Sequence, residues 1–559
     1  MYKYDDYDHA LVRERVAQFR NQTERFLKDE LTDEEFRPLR LQNGLYIQRH
    51  APMLRVAIPY GLLGAKQLHK LADIAAKYDR NYAHFTTRQN IQYNWPALEN
   101  VPAILAELAE VEMHAIQTSG NCIRNTTSDP FAGIAKDEFV DPRPFCELIR
   151  QWSTFHPEFA HLPRKFKIAV NGAAEDRAAV QVHDIGVNLT RNAAGEVVAQ
   201  VLAGGGLGRT PVIGSVIKND LPWQELLTYI EAVMRVYNRY GRRDNLYKAR
   251  IKILVRAIGP EEFSRQVEEE WQHIKGGVSV IPQKEFDRVS SFFTAPAYEQ
   301  FSAEQVATIA EQNRGLRAKH VGFDRWLTRN AREHRQPGYV AISISLKRPG
   351  IAPGDATTDE MHLIADLAEQ YSFGELRVTH EQNFVLSDVA EQDLFELWST
   401  LKEHNLAMPN IGLVSDMIAC PGGDFCSLAN AKSIPIALGI QEAVDNLDYQ
   451  FDLGDLSLNI SGCINSCGHH HIGNIGILGV DKNGEEWYQV TLGGRQGNEA
   501  SIGKVIGKSF YAEDVPGVVV KLLEVYVRER HEDELFIDTL DRIGAEPFKD
   551  HVYANKEAA

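Results

Sequence analysis

Residues 71–92 of this chain return, altered, at residues 364–385. LADIAAKYDRNYAHFTTRQNIQ is echoed by IADLAEQYSFGELRVTHEQNFV. Without a gap, residues 72–91 match at seven of twenty positions, each 293 residues from its partner: Ala72/Ala365, Asp73/Asp366, Ala75/Ala368, Tyr78/Tyr371, Thr86/Thr379, Gln89/Gln382 and Asn90/Asn383. A second echo follows in the same order. Ile185-Gly186, Gly195-Glu196, Gln200-Val201 and Gly204-Gly205 recur as Ile475-Gly476, Gly484-Glu485, Gln489-Val490 and Gly493-Gly494. Two echoes in one order predict a duplicated two-part module, with a site where the copies face each other. Within the first copy, Leu54, Val56 and Ile58 alternate as in a strand and are stopped by Pro59 and Gly61. The pattern then predicts a helix over about 65–78, a strand over 82–93 and a helix over 101–110. An amphipathic helix is expected over 9–28 and a C-terminal one over about 515–531.

The copies differ where chemistry would sit. Arg88 stands where the second copy has Glu381. Four of the six cysteines fall in the second copy, as Cys420-Pro-Gly-Gly-Asp-Phe-Cys426 and, after thirty-six intervening residues, Cys463-Ile-Asn-Ser-Cys467-Gly. The comparable part of the first copy has only Cys122. Four thiolates are the usual complement of a [4Fe–4S] cluster. Soft sulfur donors select zinc, copper(I) or iron–sulfur. Zinc sites favour two to four residues between paired cysteines, and the first pair here has five. Pro421, Gly422 and Gly423 form a bending loop whose amides can approach cluster sulfurs. Zinc, disulfides and four unrelated buried thiols are the alternatives. Cys146, in the helical PRPFCELIRQW, reads as a core thiol.

Sixty basic against seventy-seven acidic residues leave a net charge of −17, which argues against nucleic acid and anionic membranes as partners. No apolar run reaches membrane-helix length, and the charged N-terminus lacks a signal-peptide core, so a cytoplasmic protein is expected. Against that acidic background the first copy gathers cations near strand ends and turns: Arg55, Arg88 with Gln92 four residues on, Arg124 beside Asn125, Arg164-Lys165-Phe166-Lys167, and Arg209 after a Gly-rich turn. In an extended segment Lys165 and Lys167 share a face, with Phe166 opposite. Two ammonium groups on one face are costly unless an anion neutralises them. Solvated surface charge is the alternative for any one of them. GGGLG at 204–208 lacks both P-loop and dinucleotide-binding spacing. Electrons for a redox reaction would therefore come from another protein.

Taken together, the Cys-x5-Cys and Cys-x3-Cys pairs, the duplicated module, TTRQN and RKFK resemble the sirohaem-dependent assimilatory sulfite and nitrite reductases over about residues 35–510. Within them the pattern is nearest to the bacterial sulfite-reducing haemoproteins. The resemblance implies an α/β (α+β) fold of duplicated ferredoxin-like and sirohaem-binding modules, three-lobed with pseudo-twofold symmetry. It divides the chain into an N-terminal helical segment (1–34), a first ferredoxin-like half (35–115), a first sirohaem- and substrate-binding domain (116–289), a linker (290–336), a second ferredoxin-like half (337–410) and a cluster-binding domain (411–559). It implies that Cys420, Cys426, Cys463 and Cys467 ligate a [4Fe–4S] cluster, and that Cys467 also bridges to the sirohaem iron. It places Arg55, Arg124, Lys165 and Lys167 around the substrate anion. It assigns Arg88, Gln92, Asn125, Arg209, Asn465 and Arg495 to the cofactor. Tyr46 and Cys122 match positions joined by a thioether in some relatives; a buried tyrosine and a free thiol are the alternative. His469, His470 and His471 are expected to be structural or minor cofactor contacts. The implied reaction is the six-electron reduction of sulfite to sulfide. Nitrite to ammonia is the alternative, and Lys167 favours the doubly charged anion. The implied donor is an NADPH-dependent flavoprotein or a ferredoxin. A non-catalytic iron–sulfur relay is the reading from a different class, against which the cation cage argues.

Overall fold

A computed structural model describes residues 1–154, 156–159, 161–447 and 449–554. The repeat is a structural repeat. The helix Ala65–Tyr78 buries Leu68, Leu71, Ala72, Ile74 and Ala75, and the helix Thr358–Tyr371 buries Met361, Ile364, Ala365, Leu367 and Ala368. These are the same positions of the repeat, at the spacing of one helical face. The two helices pack on each other, and Phe85 meets Phe384 edge-on at 4.5 Å. One continuous core therefore joins both ferredoxin-like halves into a single lobe. Two further cores, one built around residues 123–293 and one around 414–552, form the other lobes.

Each ferredoxin-like sheet borrows a strand from the other copy. One has Leu45–Ile47, Pro52–Ala57, Asn90–Tyr93 and Tyr82–Phe85, and its edge is Asp355–Thr357 of the second copy. The other has Ala331–Glu333, Tyr339–Ile344, Phe384–Ala390 and Glu375–Val378, and its edge is Leu62–Gly64 of the first. The exchange is reciprocal and caps both exposed edges. The remaining two sheets share one topology. Thr127–Ser128, Ile168–Asn171 and Ile185–Arg191 run parallel, and Val197–Ala203 and Ser215–Pro222 return antiparallel. Ile418–Ala419, Leu458–Ser461, Ile475–Lys482, Glu485–Leu492 and Lys504–Val505 repeat the pattern.

The strand expected over 82–93 is two strands folded as a hairpin. Its turn holds Gln89 at φ 51°, and the Thr86 hydroxyl accepts from the Arg88 amide at 3.3 Å. In the second copy Gln382 sits at φ 61° and Thr379 accepts from the Glu381 amide at 3.2 Å. Polar side chains that bond their own backbone make such turns without glycine. The repeated glutamines then reach forward. Gln89 donates to the Ser128 carbonyl and accepts from its amide, at 3.0 and 3.1 Å. Gln382 does the same to Ala419, at 3.0 Å each way. Each glutamine thus ties its ferredoxin-like turn to the first strand of the following sheet. We expect Gln382→Ala to strand three buried backbone groups, the Ala419 amide and carbonyl and the Phe85 carbonyl, costing about 2–4 kcal/mol in urea unfolding, and to lower cluster occupancy because Cys420 follows Ala419.

The segment 290–336 contains the helices Ala303–Lys319 and Val321–Asn330, and Phe323 and Trp326 of the latter enter the shared core. The C-terminal helix Val515–Glu529 packs in the third lobe, with Phe536–Ile543 and Glu546–Tyr553 beyond it. No helix among the described residues is long and apolar enough to cross a membrane.

Candidate active site between the two copies

Chemistry sits at opposite ends of the two equivalent sheets. In the first copy, Arg124 precedes Thr127–Ser128, and Lys165 and Lys167 precede Ile168–Asn171. In the second, Cys420 follows Ile418–Ala419, and Cys463 and Cys467 follow Leu458–Ser461. The pseudo-twofold arrangement brings these ends together. One cavity is lined by Arg55, Arg88, Gln92, Arg124, Lys165 and Lys167 from the first copy and by Gln382, Cys420, Pro421 and Cys467 from the second. The Thr87 hydroxyl, beside Arg88, donates to the Cys467 carbonyl at 2.7 Å and closes the junction.

The cysteine loops are shaped by glycines. Gly422 has φ 58°, and a Cβ there would stand 2.0 Å from Ser433 Oγ. A Cβ on Gly468 would stand 1.9 Å from the Ile460 carbonyl oxygen. The Gly462 amide donates to Cys420 Sγ at 3.3 Å, a contact that favours a thiolate. All six cysteines are free. Burial raises the Cys420, Cys426 and Cys463 thiols, and Cys467 adds to each shift. A tetrahedral zinc site would hold its sulfurs less than ~4 Å apart. Among the described residues, the set of three ligand atoms found within 4.8 Å of one another lies elsewhere, at His69, Asp366 and Glu369. Four thiols on two loops are the donor complement of a [4Fe–4S] cluster.

The cation wall is extended and rigid at the back. Phe166 is fully buried; its amide donates to the Cys122 carbonyl at 3.0 Å, and its carbonyl accepts from the Arg124 amide at 2.7 Å. Lys165 and Lys167 therefore both face the cavity, as alternation requires. Among the described residues neither ammonium has a carboxylate or hydrogen-bond partner. The nearby Asp184 is taken: it accepts from the Lys167 amide at 2.9 Å and pairs with Arg250 at 2.7 Å. Burial lowers Lys165 to about 8, and Arg124, Arg250 and Arg164 add to the fall while Cys467 opposes it. Lys167 lies well below the usual lysine range, from burial and then from Lys165 and Arg88.

Arg55 lies opposite Gln92 in the sheet and donates to its Oε1 at 3.0 Å. Its guanidinium also sits over the Tyr46 ring at 5.5 Å. Arg88 donates to Thr127 Oγ1 at 3.2 Å and to His183 Nε2, while its Nε has no partner. His183 donates from Nδ1 to the Ala179 carbonyl at 2.7 Å, which leaves Nε2 free to accept. Burial, then the charges of Arg124 and Arg250, bring Arg88 down to about 9. Arg124 is held by the Thr118 and Gly120 carbonyls, each at 2.8 Å.

Other predicted residues stand apart. Asn125 turns to the Ile58 carbonyl and Asn90 Oδ1, each at 2.8 Å, and braces the Arg88 turn. Arg209 and Asn465 are exposed. Arg495 pairs with Asp541 and Glu499 beside a separate cleft. Cys122 donates to the Ser119 carbonyl at 3.2 Å and lines another cleft with Arg164 and His161. Cys146 is fully buried in the helix Arg143–Thr154. His470 is fully buried with neither ring nitrogen partnered, and His471 bonds the Gly208 carbonyl at 3.0 Å. Sequence reasoning missed Thr87, His183 and the Asp184–Arg250 pair. Thr87 adjoins the repeated turn, which was the available signal.

The family model of the nitrite and sulphite reductase 4Fe-4S domain matches residues 119–275 and 414–558, more than half of the chain. That of the nitrite/sulfite reductase ferredoxin-like half domain matches 46–111 and 332–404. This chain belongs to the sirohaem-dependent sulfite and nitrite reductase family. Similar proteins include sulfite reductase [ferredoxin] 2 of Mycolicibacterium paratuberculosis, 29% identical over 87% of this chain and 81% of that protein. Another is the assimilatory ferredoxin-dependent nitrite reductase of Haloferax mediterranei, 27% identical over 87% of this chain and 80% of that protein. The solved structure of the Mycobacterium tuberculosis NirA protein shares the fold, with TM-score 0.75 at 24% identity, covering 94% of this chain and 92% of that one.

The cofactors of this family member are sirohaem and a [4Fe–4S] cluster. The residues present fit both. Four thiols on two loops suit the cluster, and the unsatisfied Arg88 Nε suits a carboxylate of sirohaem. Between the side chains as they stand the cavity is about 90 Å³, the scale of a small oxyanion. The larger macrocycle needs the unpartnered Lys165 and Lys167 side chains drawn back, while Arg55 and Arg124 stay on their hydrogen-bond partners.

Proposed function

We propose that this enzyme reduces sulfite to sulfide, with Arg55, Arg124, Lys165 and Lys167 holding the anion. The observation that carries the reading is the unpartnered pair Lys165 and Lys167 on one wall. Two ammonium groups match a doubly charged, three-oxygen anion better than nitrite. When bound, sirohaem with the cluster would supply an iron site and pass on, one at a time, the six electrons that a separate donor protein delivers. Cys420, Cys426, Cys463 and Cys467 would hold the cluster, with Cys467 shared. Arg88 would meet a carboxylate of the macrocycle. Arg55, fixed by Gln92, and Arg124, fixed by two carbonyls, would orient substrate oxygens. Lys165 and Lys167 would stabilise the anion and deliver protons from Nζ as oxygens leave as water. Their lowered proton affinity makes them better donors near neutral pH than an ordinary lysine. The relatives' names favour a ferredoxin over an NADPH-dependent flavoprotein as electron donor.

The test is kcat/KM for sulfite and for nitrite with a chemically reduced dye, on the same purified enzyme. A preference for sulfite with sulfide as product is expected. A preference for nitrite would reassign the substrate while leaving the site intact. No turnover of either by a fully loaded enzyme would overturn the reading.

A further inference from the structure

We propose that His69, Asp366 and Glu369 form a surface site for a divalent transition-metal cation such as Zn²⁺, where the two copies of the repeat touch. His69 and His362 are equivalent positions of the repeat, and their Nδ1 atoms lie 2.8 Å apart across the pseudo-twofold axis. Each Nε2 faces a carboxylate of the other copy: His69 to Asp366 at 3.3 Å and His362 to Asp73 at 3.4 Å. Neutral rings cannot satisfy all three contacts. One proton serves the Nδ1–Nδ1 contact, so one ring carries its hydrogen on Nδ1 and its Nε2 is a bare lone pair against a carboxylate. A cation at that Nε2 turns the repulsion into coordination.

The broken symmetry says which ring takes it. One turn past Asp366 is Glu369, whose oxygen lies within 4.8 Å of the other two ligand atoms. The equivalent residue beside Asp73 is Ala76. His69 Nε2, Asp366 and Glu369 therefore make the three-ligand set, and water would complete it. His69 then donates from Nδ1 to His362 Nδ1, and His362 donates from Nε2 to Asp73. That is the outer-shell chain a ligating histidine ordinarily has. The ion would link the helix Ala65–Tyr78 to the helix Thr358–Tyr371, away from the reaction cavity.

The experiment is zinc chloride titration of tag-free holoenzyme at pH 8 by calorimetry, with metal analysis after desalting. Wild type should hold one zinc per chain that Asp366→Asn with Glu369→Gln does not. His362→Ala removes no ligand, yet should weaken binding by about 10–100-fold, and His362→Gln, which restores an acceptor, should recover part of it. Zinc bound elsewhere cancels in these comparisons. Equal zinc retention by wild type and the double carboxylate variant would overturn the site, as would wild type that takes up none. An unchanged affinity in His362→Ala would overturn the outer-shell chain.

Discussion

Replacing Cys467 by serine should remove both redox centres together. The Cys467 side chain is the exposed one of the four, opening on the cavity, while Cys463 is buried and Cys420 and Cys426 are half-buried. It is also the sulfur that shifts all three others. Its backbone is fixed on both sides, by Ser466 at φ 56° and by the Thr87 hydroxyl on its own carbonyl. A serine there has no freedom to move aside for another ligand, and a hydroxyl is a harder and far less acidic donor than a thiol. If Cys467 holds the cluster and is shared with sirohaem, as proposed, its loss would weaken the binding of both. The expected result is loss of most iron and acid-labile sulfide, bleaching of the visible bands, and turnover down by at least about a thousand-fold. Cys146→Ala is the control. It empties a small core volume in the helix Arg143–Thr154, costs about 1–2 kcal/mol, and should leave both centres in place. A Cys467→Ser enzyme with full cluster content and turnover within about tenfold of wild type would remove Cys467 from the bridging role.

The repeat was readable because one helical face and one turn use the same residues twice. Leu68, Ala72 and Ala75 and their counterparts fill equivalent core positions, and Gln89 and Gln382 make the same pair of backbone bonds. What could not be read was the strand exchange. Leu62–Gly64 and Asp355–Thr357 are three residues each, too short for alternation to show, and their partners lie in the other copy. The 82–93 hairpin was hidden because its turn contains no glycine or proline and relies on a glutamine at positive φ.

At the site, spacing identified residues whose backbone leads directly into the cavity. Cys420 directly follows the strand Ile418–Ala419, Cys467 lies in the loop after Leu458–Ser461, and Lys165 and Lys167 lead into Ile168–Asn171. Arg209 and Arg495 illustrate the opposite case. A Gly-rich turn fixes the path of the chain but not the direction of the next long side chain, and Arg495 finds Asp541 instead. His183 carried no sequence signal, because its importance is tertiary: it accepts from Arg88, ninety-five residues earlier.

Lys167→Ala should leave a better-behaved protein and a poorer enzyme. Burial first, and then the neighbouring cations, depress both lysines, Lys165 to about 8 and Lys167 well below its ordinary value. The folded-state pKa is below the unfolded one, so the unfolded chain takes up protons first as pH falls. Stability from this pair is present above the ordinary lysine range and is lost as pH falls towards about 8, below which Lys165 is protonated in both states. Removing Lys167 relieves that penalty, so the urea midpoint of the chain free of cofactor should rise at pH 7. Sulfite binding works the other way, since the dianion restores the protonated lysines. Binding should take up protons, and KM for sulfite should increase as pH passes about 8. The same substitution should keep the visible spectrum of the loaded enzyme and cut kcat by about 10²–10⁴-fold, the usual value of a positioned proton donor. Lys167→Arg should retain the charge and part of the binding but not the proton transfer, because a guanidinium does not give up its proton in this range. It should therefore separate the two roles, with KM near wild type and kcat near that of the alanine variant. Wild-type sulfite turnover in Lys167→Ala would take the residue out of the mechanism. A lowered urea midpoint would instead refute the electrostatic account of the wall, and with it the reason for expecting an anion there.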